Sequence, residues 1–247
     1  MIKAIKLSFL ALIILVTGCA GNIQQPVAFN YSTIEQGAKV GVVVGPIPTP
    51  TMTYPGASCL LCLATAATAN ASLSAYAKTL DASDLSLVRD DVVASLQSQG
   101  FDANVIEEYE DESKLPKIKS EIVNSAKRDY SIYRTKNNVD YLVVVNFNYA
   151  GLTRNYASYI AKGAPEAKVL GLVRMIDLNT NMYTIYQPVV AAKMSEGEWK
   201  EPPEYPGMTN AYYQAIEAAK DQVKDSVVAV TEAADTGISP TSADAVE

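Results

Sequence analysis

Lys39-Val40-Gly41-Val42-Val43-Val44-Gly45 decides the class of fold. A run of β-branched residues with no polar alternation, closed by glycine, reads as a strand buried on both faces. Such a strand needs cover above and below, which places it inside a layered α/β structure. Downstream, Pro46, Pro48, Pro50 and Pro55 forbid regular structure up to about Gly56. Asp81 or Ser83 then caps a predicted helix on which Leu85, Val88, Val92 and Leu96 recur at helical spacing, with Gly100 as its stop. Residues 101–106 form a second predicted strand. A further helix is predicted over 115–133, with Ile118, Ile122, Ala126 and Tyr130 on one face.

Residues 140–149 open with Tyr141-Leu142-Val143-Val144-Val145 and read as a central strand. Two more, 168–178 and 182–192, flank the turn Asn179-Thr180-Asn181. Tyr212, Ile216, Ala219, Val223, Val227 and Val230 lie on one face of a long amphipathic helix over 209–234. The order predicts an α/β (α+β) sandwich of two or three layers, a mixed sheet of about five strands with helices packed on it. Residues 39–234 form this domain, and the Thr-, Ser- and Ala-rich stretch 235–247 is expected to be a disordered tail.

The N-terminus carries its own signal. Lys3 and Lys6 precede a largely apolar stretch, 7–16, that is too short to span a bilayer, which takes ~20 residues. It ends in Val16-Thr17-Gly18-Cys19, which resembles a bacterial lipobox. Cleavage between Gly18 and Cys19 would make Cys19 the lipidated N-terminus, held to the membrane by its acyl chains, palmitate among them. Ala20 follows in place of the Asp that retains such proteins in the inner membrane, so the expected location is the outer membrane with the domain facing the periplasm. Residues 19–38 then read as a flexible tether.

Composition removes several classes of function. Residues 1–18 hold two lysines and no acid, so 18 basic face 27 acidic side chains in the mature chain, net −9. That balance argues against nucleic acid, which needs clustered Lys and Arg. No histidine occurs, which excludes Ser-His and Cys-His nucleophiles and imidazole-bound zinc. No catalytic residue, metal site or cofactor is therefore expected.

Four features remain. Cys59-Leu60-Leu61-Cys62 is a C-x-x-C pair, read as a candidate local disulfide, with two reduced buried thiols or a redox pair as the alternatives. Residues 40–77 carry no charge. Within them 57–78 reads as a packed helix or loop, while the strict alternation over 68–78 leaves a membrane β-strand open. Glu107, Glu108, Glu110, Asp111 and Glu112 read as a solvated loop. Fifteen tyrosines against four phenylalanines favour wet interfaces, and Trp199, Tyr205, Tyr156 and Tyr159 are the candidate partner-binding residues.

The strands 39–44 and 139–144, the stretch Ala167-Lys168-Val169-Leu170-Gly171-Leu172-Val173-Arg174-Met175-Ile176-Asp177-Leu178 and the closing helix 215–227 resemble a group of bacterial envelope lipoproteins with an anticodon-binding-domain-like fold. That group includes the curli-secretion channel lipoprotein, activators of penicillin-binding proteins and an uncharacterised lipoprotein family. The resemblance spans roughly 39–230; this chain has Ile185-Tyr186 where the group often carries a Trp. It implies a non-enzymatic, outer-membrane-anchored interaction or scaffold protein with an envelope protein as partner. A secretion-channel subunit and a periplasmic thiol-redox protein are the alternatives.

Overall fold

The computed structural model describes residues 23–228; Gly18, Cys19 and the tail 235–247 lie outside them. Eight strands are present among the described residues: β1 (Lys39–Val44), β2 (Thr51–Thr53), β3 (Asp102–Val105), β4 (Tyr141–Thr153), β5 (Tyr156–Ala157), β6 (Ile160–Ala161), β7 (Glu166–Asp177) and β8 (Met182–Met194). The main sheet runs β3-β1-β4-β7-β8, with β2 paired to the far end of β4. Strand β1 is parallel to both neighbours, while β4, β7 and β8 form an antiparallel meander. The mixed α/β sheet is the one expected. Its β-branched runs are explained by burial on two sides: Val42, Val143 and Val145 enter one core, Val43, Leu142 and Val144 the other.

Among the described residues five α-helices accompany the sheet: α1 (Leu60–Ala69), α2 (Ala71–Ala77), α3 (Val88–Ser98), α4 (Ser131–Asn137) and α5 (Pro206–Ser226). Helices α3 and α5 cover the first face, through Val88, Val92 and Leu96 and through Met208, Tyr212, Ile216 and Val223. Pro206 starts α5, where its fixed φ suits a first turn and its missing N–H is no loss. The helix expected over 209–234 thus begins earlier and stops at Ser226, where Val227 N bonds Lys224 O in a tightened last turn.

The second face is covered differently from expectation. No helix spans 115–133. Ile118 N donates to Lys127 O and Lys117 bridges Arg128, so the chain folds back as a hairpin. Its tip also bonds to the β7–β8 hairpin: Ala126 N donates to Asn181 O, and Tyr183 N to Asn124 O. Asn124 takes a left-handed φ of 63°, which a helix interior does not accept. Ile122 is 69% exposed, so its four-residue spacing from Ile118 and Ala126 never marked a buried stripe.

An ion pair fixes this layer to the sheet. Arg174, on β7, is buried, and its Nη1 donates to Glu112 Oε2 and to the Tyr130 hydroxyl, each at 2.9 Å. Its Nη2 donates to Glu112 Oε1 and to Asn146 Oδ1. Glu112 therefore leaves the solvated acidic run to which it was assigned.

The tether is also shorter than the sequence implied. Val27 exchanges two 2.9 Å backbone hydrogen bonds with Tyr186, and Phe29 and Ile34 are buried. The Tyr31 hydroxyl donates to Gln99 O at 3.0 Å. Apolar side chains at 27, 29 and 34 gain more by docking than the segment loses in freedom. Cys19 stands eight residues before Val27, so a lipid on it would lie within about 27 Å of this packing.

Burial raises the pKa of Tyr133 to about 12, and it also raises Tyr130 and Tyr183 in the same layer. Their unfolded values lie near 10. Folding therefore favours the neutral phenols, a contribution complete below pH ~10 and lost as pH rises toward the folded values. Tyrosinate absorbance is expected to rise together with loss of circular dichroism above pH ~10. Independent titration of each ring, without unfolding, would contradict this.

Candidate functional site: an uncharged helix beside the disulfide

Beyond β2 the chain turns at Gly56, whose φ is +84° and whose Cβ, if present, would lie 1.9 Å from Tyr156 O. Only glycine permits that approach. Tyr156 N donates to Pro55 O at 2.7 Å and Ser158 N to Gly56 O at 3.1 Å, so the β5–β6 ribbon is strapped to the proline-rich loop. Cys59 follows as the N-cap of α1: its Sγ accepts from Cys62 N at 2.9 Å. Cys59 and Cys62 are disulfide-bonded, their Cα atoms 4.9 Å apart. Cys62 is buried while Cys59 is exposed. The Tyr159 hydroxyl stands 3.7 Å from Cys59 Sγ, which brings the ribbon tip against the start of α1.

The result is an apolar surface without charge on the helix. Within α1 only Cys62 and Ala66 are buried. Leu60, Leu61 and Leu63 are 88%, 66% and 45% exposed, and Ile160 on the ribbon 67%. Single exposed leucines are ordinary, but here they gather on two adjoining elements.

A polar joint holds the other end of α1. Buried Asn70 donates from Nδ2 to Ala66 O and to the Tyr156 hydroxyl, both at 2.7 Å, and its Oδ1 accepts from Arg154 Nη1 at 2.9 Å. Arg154 also lies over the Trp199 ring, 4.8 Å from its centre, with Lys200 5.2 Å away. Asn70→Ala removes three bonds at a buried point and is expected to cost about 2 kcal/mol. The single tryptophan should report it, because Arg154 loses its anchor beneath the ring. An unchanged melting curve and emission maximum would show that the joint contributes nothing.

The four expected partner residues divide. Trp199 is half-buried under Arg154, and Tyr159 is 52% exposed on the patch. Tyr156 and Tyr205 are instead core residues. Tyr156 accepts from Asn70 and packs edge-on to Tyr54, and Tyr205 packs on Tyr76 with ring centres 5.2 Å apart. Their aromatic area is spent inside the domain. The leucines of α1 were missed; the signal available was two adjacent leucines between the cysteines of an uncharged segment.

Residues 68–78 belong to the end of α1 and to α2, so the membrane-strand reading fails: the alternation of small residues satisfies two short helices bent by 78° at Asn70. Together these two have the length and composition of a span, but no single helix among the described residues is long and apolar enough to cross a membrane. Nor do three or more Cys, Asp or Glu side chains converge as a metal site among them.

No family model and no curated protein matches the chain. Among solved structures it resembles the PelC dodecamer protein of Paraburkholderia phytofirmans (10% identity, 80% of this chain and 98% of that one, TM-score 0.29). It also resembles lipoprotein GNA1162 of Neisseria meningitidis (10% identity, 73% and 98%, TM-score 0.28). Protein XCC0632 of Xanthomonas campestris, of family model DUF330, is a third (10% identity, 83% and 93%, TM-score 0.32). Likenesses at this level fix neither family nor activity.

Proposed function

We propose that the chain is a non-enzymatic lipoprotein of the bacterial envelope, anchored through Cys19 in the outer membrane, that docks a protein partner on α1 and the β5–β6 ribbon. The observation that carries this reading is the exposed uncharged face of Leu60, Leu61, Leu63 and Ile160. Covering a leucine side chain is worth roughly 1.5–3 kcal/mol, so a few such contacts support a stable complex. The face lies at the C-terminal end of β4, whereas the N-terminal segment leaves beside Tyr183 and Tyr186 near the start of β8. The register puts those regions at opposite ends of the sheet, so an anchored domain presents α1 away from its own membrane. Intact mass of the membrane-extracted protein tests the anchor. A photoreactive residue at Leu61 tests the face: one discrete adduct is expected in cells, and none from the same group at Glu217 on α5. Identical adducts at both positions would remove the reading.

A second reading has one observation in its favour. Cys59 is the exposed member of the disulfide and caps a helix N-terminus, where a thiolate is stabilised. In it, a partner's thiolate attacks the Cys59 sulfur and Cys62 leaves as the thiolate; a second partner thiol then releases Cys59, so two thiols become a disulfide and Cys59–Cys62 a dithiol. Survival of the disulfide in excess reduced glutathione would discard this reading.

A further inference from the structure

The hairpin on the second face ends in a turn that nothing in the docking reading uses. Ser125 N donates to Ile122 O at 3.2 Å, and left-handed Asn124 closes the turn, so the side chains of Ile122 and Val123 project outward, 69% and 79% exposed. Gln24 Nε2 donates to Asn124 Oδ1 at 2.8 Å, which fixes the emerging N-terminal segment against this turn. Ile23 beside it is 82% exposed, and a groove of about 480 Å³ runs between the two segments. The hairpin is also basic within an acidic protein. Residues 117–128 hold Lys117, Lys119, Lys127 and Arg128 against Glu121 alone, net +3, in a chain of net −7. All three lysines are exposed.

From these features we infer that the 117–128 hairpin is a second membrane contact: Ile122, Val123 and Ile23 dip into the interface of an anionic phospholipid bilayer while the lysines meet its headgroups. The inference rests on the anchor reading, since Cys19 stands only four residues before Ile23 and can hold it no farther than about 14 Å from the lipid attachment. At that distance the apolar turn and its lysines sit within reach of the headgroup layer. Charge complementarity selects the anionic bilayer over a neutral one, each lysine near the surface contributing about a fivefold preference. The contact turns a loosely tethered domain into an oriented one, with α1 directed away from the membrane.

The test uses the full lipidated protein in vesicles containing phosphatidylglycerol, carrying an environment-sensitive fluorophore on Val123→Cys or, as control, on exposed Thr68→Cys in α1 at the opposite end of the sheet. Lipid-borne nitroxides are expected to quench the label at 123 at least about threefold more than at 68. Phosphatidylcholine vesicles, raised salt, and Lys119→Gln with Lys127→Gln should each reduce that difference. Equal quenching at the two positions in a protein whose mass shows lipid on Cys19 overturns the membrane contact and leaves the anchor standing. A mass without lipid overturns both.

Discussion

Glu112→Ala is expected to lower the unfolding free energy by about 3–5 kcal/mol, and Arg174→Ala by a comparable amount. Neither value is typical of a surface pair, for which about 0–1 kcal/mol is usual. The difference lies in what remains. Arg174 has a side-chain exposure of 8% and bonds to Glu112, Tyr130 and Asn146 at once, so loss of the carboxylate strands a buried guanidinium. Glu112 also ties a largely irregular layer, whose cover of Leu142, Val144 and Ile176 depends on staying docked. The double variant Arg174→Met with Glu112→Leu should recover most of the loss, because apolar replacement of a whole buried pair is often neutral. Its Nε, buried without a hydrogen-bond partner, already marks the pair as imperfect. Urea midpoints for the wild type, Glu112→Leu, Arg174→Met and this double variant give the cycle. Single losses below about 1 kcal/mol, or strictly additive ones, would show that the pair does not hold the layer.

The elements legible in the sequence were those whose environment is simplest. Strands β1 and β4 are buried on both faces and therefore spell themselves as continuous Val and Leu. The hairpin of β7 and β8 carries its own turn, in which Asp177 Oδ1 accepts from Asn179 N at 2.8 Å and Asn181 takes φ 57°. Helix α5 has one apolar stripe against one sheet face. The 106–138 layer was illegible because its order comes from contacts distant in sequence, backbone bonds to Asn181 and Tyr183 and the salt bridge to Arg174. One sign was present: a lone arginine inside an apolar strand needs a carboxylate, and the nearest unexplained supply was the acidic run.

Site residues were harder for a related reason. Tyrosines in a strand-end loop or beside prolines look like contact residues, yet Tyr156 and Tyr205 are held inward by Asn70 and Tyr76, partners more than eighty positions away. Conversely, small residues over 57–78 read as a close-packed face, while the three leucines that begin α1 face outward. Periodicity reports which side of a helix is apolar only when the other side is polar. In α1 neither side carries charge, so the sequence held no contrast from which to read orientation.

Leu60→Glu with Leu61→Glu is expected to leave folding intact and to reduce the in-cell adduct formed from a photoreactive residue at Leu63 by about 30-fold or more. The magnitude follows from two contact residues worth about 2 kcal/mol together at the centre of an interface. The sign on stability is argued from the helix itself. Positions 60 and 61 are 88% and 66% exposed, so no packing is lost. They occupy the first turn of α1, which holds no acidic residue, and a carboxylate there is favoured by the helix dipole by about 0.3–1 kcal/mol. A partner lost through these substitutions is therefore lost at the surface and not through unfolding, and an unchanged or slightly higher melting temperature would accompany it. Leu60→Lys with Leu61→Lys separates charge from apolar contact: it should abolish the adduct equally while lowering stability slightly, since cations oppose the same dipole. Should the glutamate variant keep its full adduct, the partner does not rest on α1, and the exposed leucines of this helix would have no part in docking.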